Sequence, residues 1–474
     1  MLFKNSSIYI IAKFIPGLMA FTALAIYTHL LTPEQYGVYT LIFTATLFIF
    51  TTVFNWLPVG MVRFWPGGTY DEGTFVSTMG VLYRCLSLPI IICVAVIAIF
   101  LDNDWIVYLA AALLLLFAQA CLKHGQTLTS AQMRPTSYAI MTISYSVLAL
   151  TLGSLFAYLG WGPLGLLFGI ALGMLIPSLT MTYQSWKQYD QSKFSPELTR
   201  KLIFYGTPLA ASFLLDEVAN VSDRYMLAWL LGEAEAGKYA VGYDLAGNSI
   251  LMVMNAINLA AYPMIVKLLD TEGKEAALAY FKTYVVLLLG ISVPAVVGLS
   301  LVGPNIVELM IGEQYQESVT LVLPWVASAI FFMGAGAFYM HLSFQLGNHN
   351  IGIFKIAGVI AVLNLILNYL LIPRFGMQGA AIATLLSFML SVTLGYILGR
   401  RVFPIPFPGK EVTKILTAAL LMGICLYYLK DLRGWLPLML QVSSGLGIFL
   451  VSAYLLDIGG IKQIVTKHLK SRLA

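Results

Sequence analysis

The sequence predicts an all-α integral membrane protein of about fourteen transmembrane helices. Twelve form two pseudo-symmetric six-helix bundles around a central cavity, and two more follow at the C-terminal end. Three observations carry this prediction. Hydrophobic residues make up 59% of the 474 positions and charged residues 10%, against roughly 25% charged in a soluble domain. A chain this apolar has the bilayer as its solvent. Apolar runs of the ~20 residues that one crossing needs follow one another from end to end. Finally, motifs of the first half return in the second half, in the same order.

The first run, 7–31, follows Lys4. It is too long for a signal-peptide core and lacks a small-residue cleavage site, so it reads as a retained first helix. Runs at 37–59, 75–101, 105–124, 136–159 and 163–186 complete the first bundle. The longest polar stretch, Lys187–Lys201, then marks a linker. Runs at 202–231, 237–263, 281–303, 319–344, 352–372 and 377–399 make the second bundle, and 411–430 and 435–457 the final pair. The expected domains are 1–190, 191–402 and 403–474, the last including a tail. Cys85, Cys93, Cys121 and Cys425 all fall inside apolar runs without metal-ligand spacing and read as small packing residues.

Lys and Arg set the orientation. With the N-terminus in the cytoplasm, only Lys238, Arg374, Lys430 and Arg433 fall outside, and Lys13, Arg84 and Arg224 lie within spans. The other Lys and Arg residues are inside. Outer connections carry carboxylates, among them Glu34, Asp102, Asp104, Glu313 and Glu317. Trp105, Trp161, Trp229 and Trp435 mark the outer interface, and Trp56, Trp65 and Trp186 the inner one. The expectation is a cytoplasmic (inner) membrane protein with both termini cytoplasmic.

The repeat rests on four pairs. Leu30-Leu31 followed by Gly37 and Tyr39 returns as Leu230-Leu231 followed by Gly237 and Tyr239. Pro58 pairs with Pro263, and Ser87-Leu88-Pro89 with Ser292-Val293-Pro294. Gly162-Pro163-Leu164-Gly165 pairs with Gly376-Met377-Gln378-Gly379. The offset grows from 200 through 205 to 214, as small loop insertions produce. Six helices per unit give both copies one orientation, related by an axis along the membrane normal. Proline inside a helix removes a hydrogen bond and kinks it. Pro16, Pro58, Pro89, Pro208, Pro263 and Pro294 are therefore candidate hinges.

The segment Leu30-Leu31-Thr32-Pro33-Glu34-Gln35-Tyr36-Gly37-Val38-Tyr39 resembles a hallmark of polysaccharide-type flippases. So do the Gly-x-x-Gly openings at Gly162 and Gly376 and the Asp223-Arg224-Tyr225 stretch. These flippases belong to the multidrug/oligosaccharidyl-lipid/polysaccharide exporter superfamily, and the resemblance covers the whole chain. It implies a Wzx-like protein that moves a lipid-linked oligosaccharide from the inner to the outer leaflet by alternating access. The typical carrier is undecaprenyl diphosphate, bearing an O-antigen or exopolysaccharide repeat unit. Implied partners are that lipid, membrane lipids, and polysaccharide polymerase and chain-length proteins, with no nucleic acid.

Charges inside spans are costly and so mark candidate sites. Arg84 lies deep in the third span, and its planar fork of donors suits a diphosphate. The bland alternative is a structural pair with a carboxylate. Lys13 beside Pro16 and Arg63 near the inner end of the second span are further head-group candidates, or interfacial anchors. In the seventh span, Asp216, Asn220, Asp223 and Arg224 share one face at i, i+4, i+7 and i+8. Arg224 either meets the head group or pairs with Asp244. Asp216 and Glu217 are adjacent carboxylates that favour holding a proton or recruiting a cation. H+ or Na+ coupling, with no other cofactor and no metal, is the expectation. His29 and His341 read as packing residues. No nucleophile–base pair, P-loop or phosphate cradle stands in the sequence, so a transporter is expected and not an enzyme. A glycosyltransferase would need a large outer loop, and every outer loop here is short. The competing transporter reading is a cation-coupled multidrug exporter of the same superfamily.

Overall fold

The computed structural model describes residues 2–65, 70–349 and 351–462, with side chains for Ala12 and from Phe14 onward. Every regular element among them is helical. Eleven helices are long and apolar enough to cross a membrane, with Phe14–Leu30 a shorter apolar one. The chain divides into two compact units, 1–237 and 238–474.

The first unit holds α1 (Leu2–Leu30) and α2 (Pro33–Phe64), with a π-helical turn at Phe50–Phe54. Next come α3 (Glu72–Ala98), α4 (Asn103–Ala131) and α5 (Pro135–Phe156). Last are α6 (Gly162–Trp186) and α7 (Pro196–Leu231). The hallmark segment explains how α2 starts. The Thr32 hydroxyl accepts from the Gln35 amide at 3.3 Å, and the Gln35 side chain accepts from the Thr32 amide at 3.2 Å. With Pro33 in the first turn this is a reciprocal capping box. The repeated glycines then interlock: a Cβ on Gly37 would lie 1.9 Å from the Glu233 carbonyl oxygen, and one on Gly237 2.1 Å from that of Pro33. Asp71 caps α3, and donation from the Thr74 hydroxyl holds its carboxyl below the usual carboxylate range.

The helices α5 and α6 run on through a π-helical turn at Ala157–Trp161 and reverse there, at Gly160 (φ 89°) and Gly162 (φ 53°, ψ −133°). The second unit repeats this device. The helix α8 (Glu233–Thr271), which enters the second unit at Lys238, carries a π-helical turn at Gly247–Leu251, as α2 does at Phe50–Phe54. Following it are α9 (Lys274–Met310) and α10 (Glu313–Leu346). The stretch Ile351–Gly399 reverses at Gly376 (φ 58°, ψ −137°) into α11 (351–375) and α12 (377–399). Asn364 of α11 donates to Thr384 of α12 at 3.4 Å across that hairpin. The chain ends in α13 (Gly409–Leu429) and α14 (Trp435–Leu455). The matching backbone angles at Gly162 and Gly376 are the repeat expressed in structure.

The expected domain limits differ from the observed units, for reasons of packing. The linker after α6 is fastened to α3: the Asp190 amide donates to Ser77 Oγ at 2.9 Å and the Ser195 amide to Thr78 Oγ1 at 3.1 Å. Leu198 and Leu202 of α7 bury in one cluster with Trp56, Leu57 and Met61 of α2 and Phe75 and Met79 of α3. So α7 groups with the first compact unit, which runs to residue 237. The final pair packs on the second unit's own helices. Val302 of α9 buries with Ala418, Ala419 and Met422 of α13 and Phe449 of α14. Asn305 of α9 also donates to Gln441 at 2.9 Å and accepts from the Gly434 amide at 2.9 Å.

Candidate functional site

The polar face of α7 packs on α2 as a ladder. Arg224 Nη1 donates to Thr40 Oγ1 at 3.1 Å, and Tyr225 donates to the Leu41 carbonyl at 2.9 Å, with Thr44 Oγ1 3.2 Å from its hydroxyl. Further along, Thr51 hydrogen-bonds the Glu217 carboxylate from inside the π-helical turn. Extra backbone curvature of this kind is frequent at functional sites. Asp223 and Arg224 are buried, Glu217 and Asn220 half-buried, and Asp216 exposed. The Asp223 carboxylate also accepts from the Arg224 amide at 2.8 Å. The face therefore runs from an open carboxylate pair to a buried, bonded arginine.

This placement revises one sequence reading. By sequence the seventh span, which carries Asp216, Glu217 and Asp223, opens the second bundle. Because α7 packs into the first unit, Asp216, Glu217 and Asp223 share that unit with Arg84, Arg63 and Arg224. Asp244 is half-buried in α8 and belongs to the second unit.

Arg84 is exposed on α3; its Nε donates to the Gly80 carbonyl at 3.2 Å, and its guanidinium lies 4.9 Å from the Tyr189 ring centre. It lines a cavity of about 340 Å³ with Tyr83, His124, Trp186 and Tyr189. Arg63 is exposed in the last turn of α2, where a cation meets the negative end of the helix dipole. Lys13 lies on α1, but its side chain falls outside the described residues. All six candidate hinge prolines lie inside helices: Pro16 in α1, Pro58 in α2, Pro89 in α3, Pro208 in α7, Pro263 in α8 and Pro294 in α9. Pro58 and Pro263 each follow the π-helical turn of their own span.

His29 is exposed and bonds the Ala25 carbonyl at 2.7 Å, so it does not pack; His341 Nε2 lies 3.4 Å from Ser391 Oγ. Cys85 and Cys93 are exposed on α3 and also do not pack. The sequence reading passed over His124, which closes the apolar run 105–124 beside Lys123 and so reads as interfacial. Its signal lies in Phe117, Ala120 and Cys121, which precede it at helical spacing and line the same cavity.

A family model described as "Polysaccharide biosynthesis protein" matches residues 26–320. The chain belongs to that family. The chain is also matched over residues 238–443 by the model for "Lipid II flippase MurJ". It is 24% identical over 414 residues to the capsular polysaccharide biosynthesis protein CapF of Staphylococcus aureus, across 84% of this chain and 100% of CapF. The probable flippase AglR of Haloferax volcanii is 29% identical over 199 residues, 40% of either chain. Among solved structures, Lipid II flippase MurJ in an inward closed conformation superposes with a TM-score of 0.75 at 13% identity, over 94% of this chain and 98% of MurJ. An inward-facing multidrug resistance MATE transporter of the MOP superfamily gives 0.63 at 17% identity, over 86% and 99%. These two likenesses are of fold. Together with the family match they bear out the exporter-superfamily resemblance read from residues 30–39. The polysaccharide biosynthesis protein is a multi-pass membrane protein.

Proposed function

We propose that the protein is a flippase that moves a lipid-linked oligosaccharide repeat unit across the cytoplasmic membrane by alternating access. Its carrier in this reading is a polyprenyl diphosphate such as undecaprenyl diphosphate. The observation that carries the proposal is whole-length agreement of two kinds. The chain aligns with all of CapF, a capsular polysaccharide biosynthesis protein, and shares the fold of MurJ, a lipid II flippase, over nearly its full length. Fourteen spans with both termini cytoplasmic complete the reading, supported by the positive-inside bias. Arg84 and Arg63, with Lys13, are the proposed contacts for the anionic head group, because a guanidinium binds phosphate through paired, charge-assisted hydrogen bonds. Arg224 serves that role only if its bond to Thr40 exchanges during transport. Asp216 and Glu217, with Asn220 and Asp223, form the proposed polar path for a coupling H+ or Na+ in the first unit, and Asp244 is a proposed polar-cavity residue of the second. Polymerase and chain-length proteins are the proposed receivers of the flipped unit.

The test is transport of a fluorescent undecaprenyl-diphosphate-linked sugar in proteoliposomes. Wild-type protein is expected to flip it, and Arg84→Ala to lower the initial rate about tenfold, the loss of one charge-assisted contact. No flipping by the wild type, with export of an organic cation in the same vesicles, would replace this reading by the multidrug one.

A further inference from the structure

Three side chains of the first unit hold buried polar atoms that find no hydrogen-bond partner among the described residues. His124 on α4 is 3% exposed, and neither of its ring nitrogens has a hydrogen bond among the described residues. The hydroxyls of Tyr83 on α3 and Tyr189 after α6 are likewise buried and unbonded. All three line the 340 Å³ cavity. The His124 ring stands 5.5 Å from that of Tyr83, edge to face, and 5.2 Å from that of Trp186. A buried polar group left unpaired costs about 1–3 kcal/mol, and native proteins hold few of them. Three converging on one apolar-walled cavity describe a binding site.

The mouth identifies the chemistry. Arg84 stands there, one helical turn before Leu88, with its guanidinium stacked on Tyr189. Its Nε serves the Gly80 carbonyl, and its two terminal nitrogens make no hydrogen bond among the described residues. From Leu88 onward α3 presents Ile91, Ile92 and Val96, all exposed and all apolar. On a membrane protein such a stripe is a surface for hydrocarbon. A cation and polar atoms at one end, with an apolar track leading away, fit an amphiphile carrying a phosphate.

We infer that this cavity binds a phosphate-bearing membrane lipid. The phosphate lies between Arg84 and the hydroxyls of Tyr83 and Tyr189, His124 completes the head-group contacts, and the tail follows the Leu88–Val96 face. Arg presents its donors in a fork matched to phosphate oxygens, and tyrosine hydroxyls donate to the same oxygens. His124 donates from one nitrogen and accepts from a head-group hydroxyl at the other. The lipid is either a bulk anionic phospholipid or a polyprenyl phosphate. Its polyprenyl arm rests on the flippase reading of Arg84 above, but the inference concerns binding, so its failure is distinguishable from a failure of transport.

The experiment is native mass spectrometry of the purified full-length protein, titrated separately with phosphatidylglycerol, undecaprenyl phosphate and uncharged diacylglycerol. At least one phosphate lipid is expected to bind ten times more tightly than diacylglycerol. Preference for phosphatidylglycerol assigns the site to bulk lipid, and preference for undecaprenyl phosphate assigns it to the carrier. Arg84→Gln and His124→Phe should each weaken that binding about tenfold. Arg84 is exposed and phenylalanine keeps the ring of His124, so both variants should retain the wild-type elution volume. Equal binding of diacylglycerol, or wild-type affinity in both folded variants, overturns the inference.

Discussion

Glu217 sits in a membrane helix beside Asp216, with Thr51 as its hydrogen-bond donor. Two adjacent carboxylates in a membrane helix repel each other, and a bound cation relieves that repulsion. Glu217→Gln keeps the shape and the bond to Thr51 but cannot carry the charge. If this pair couples transport, an imposed pH or Na+ gradient will speed flipping by the wild type and leave the rate of Glu217→Gln unchanged. Proteoliposomes with and without the gradient measure this; a variant stimulated like the wild type removes Glu217 from coupling. The sequence pointed to Glu217 because charge in an apolar run stands out. It did not point to His124, whose importance lies in what it lacks: a hydrogen-bond partner for either nitrogen among the described residues. Missing partners become visible only when the neighbours are placed. Arg84 was legible as a buried-depth charge, but its stacking on Tyr189 crosses a connection that periodicity does not constrain.

At the scale of elements, the hairpins at Gly162 and Gly376 carry the repeat most sharply. Both glycines combine positive φ with ψ near −135°, a region that side chains with a Cβ avoid. At Gly162 an added Cβ would meet only the Gln35 amide at an ordinary 3.5 Å. Backbone strain alone should therefore make Gly162→Ala destabilising, by about 1–3 kcal/mol. Gly447, helical in α14 with open space around it, supplies the contrast. Alanine there should stabilise by about 0.5–1 kcal/mol through helix propensity. Thermal unfolding of the two variants in detergent should move in opposite directions, and a Gly162→Ala midpoint at or above wild type would refute the strain argument. The sequence reading found these turns because the motif Gly-x-x-Gly recurs. It placed helix limits less well: α9 was expected at 281–303 and runs Lys274–Met310, and α7 was expected at 202–231 and runs Pro196–Leu231. Hydropathy reports the hydrocarbon-facing portion, while backbone hydrogen bonding continues into the polar flanks. The π-helical turns carry no apolar periodicity of their own and were not legible.

For the whole molecule, the decisive quantity is orientation, because a flippase has meaning only relative to two leaflets. The two connections to compare both lie in the first unit. One, between α3 and α4, carries Asp102 with Asp104 in the first turn of α4, and the other, between α6 and α7, carries Lys187 and Lys193. Cytoplasmic segments near span ends retain Lys and Arg, so the second connection is proposed to face the cytoplasm and the first the outside. Asn103 and Gln191 are exposed, which makes each a suitable single-cysteine position once Cys85, Cys93, Cys121 and Cys425 are replaced. A membrane-impermeant maleimide should label Asn103→Cys in intact spheroplasts and Gln191→Cys only in inverted vesicles. The reverse pattern would turn the molecule over. It would place the Trp186–Tyr189 end of the Arg84 cavity at the outer leaflet, where it would meet the product of flipping and not its substrate.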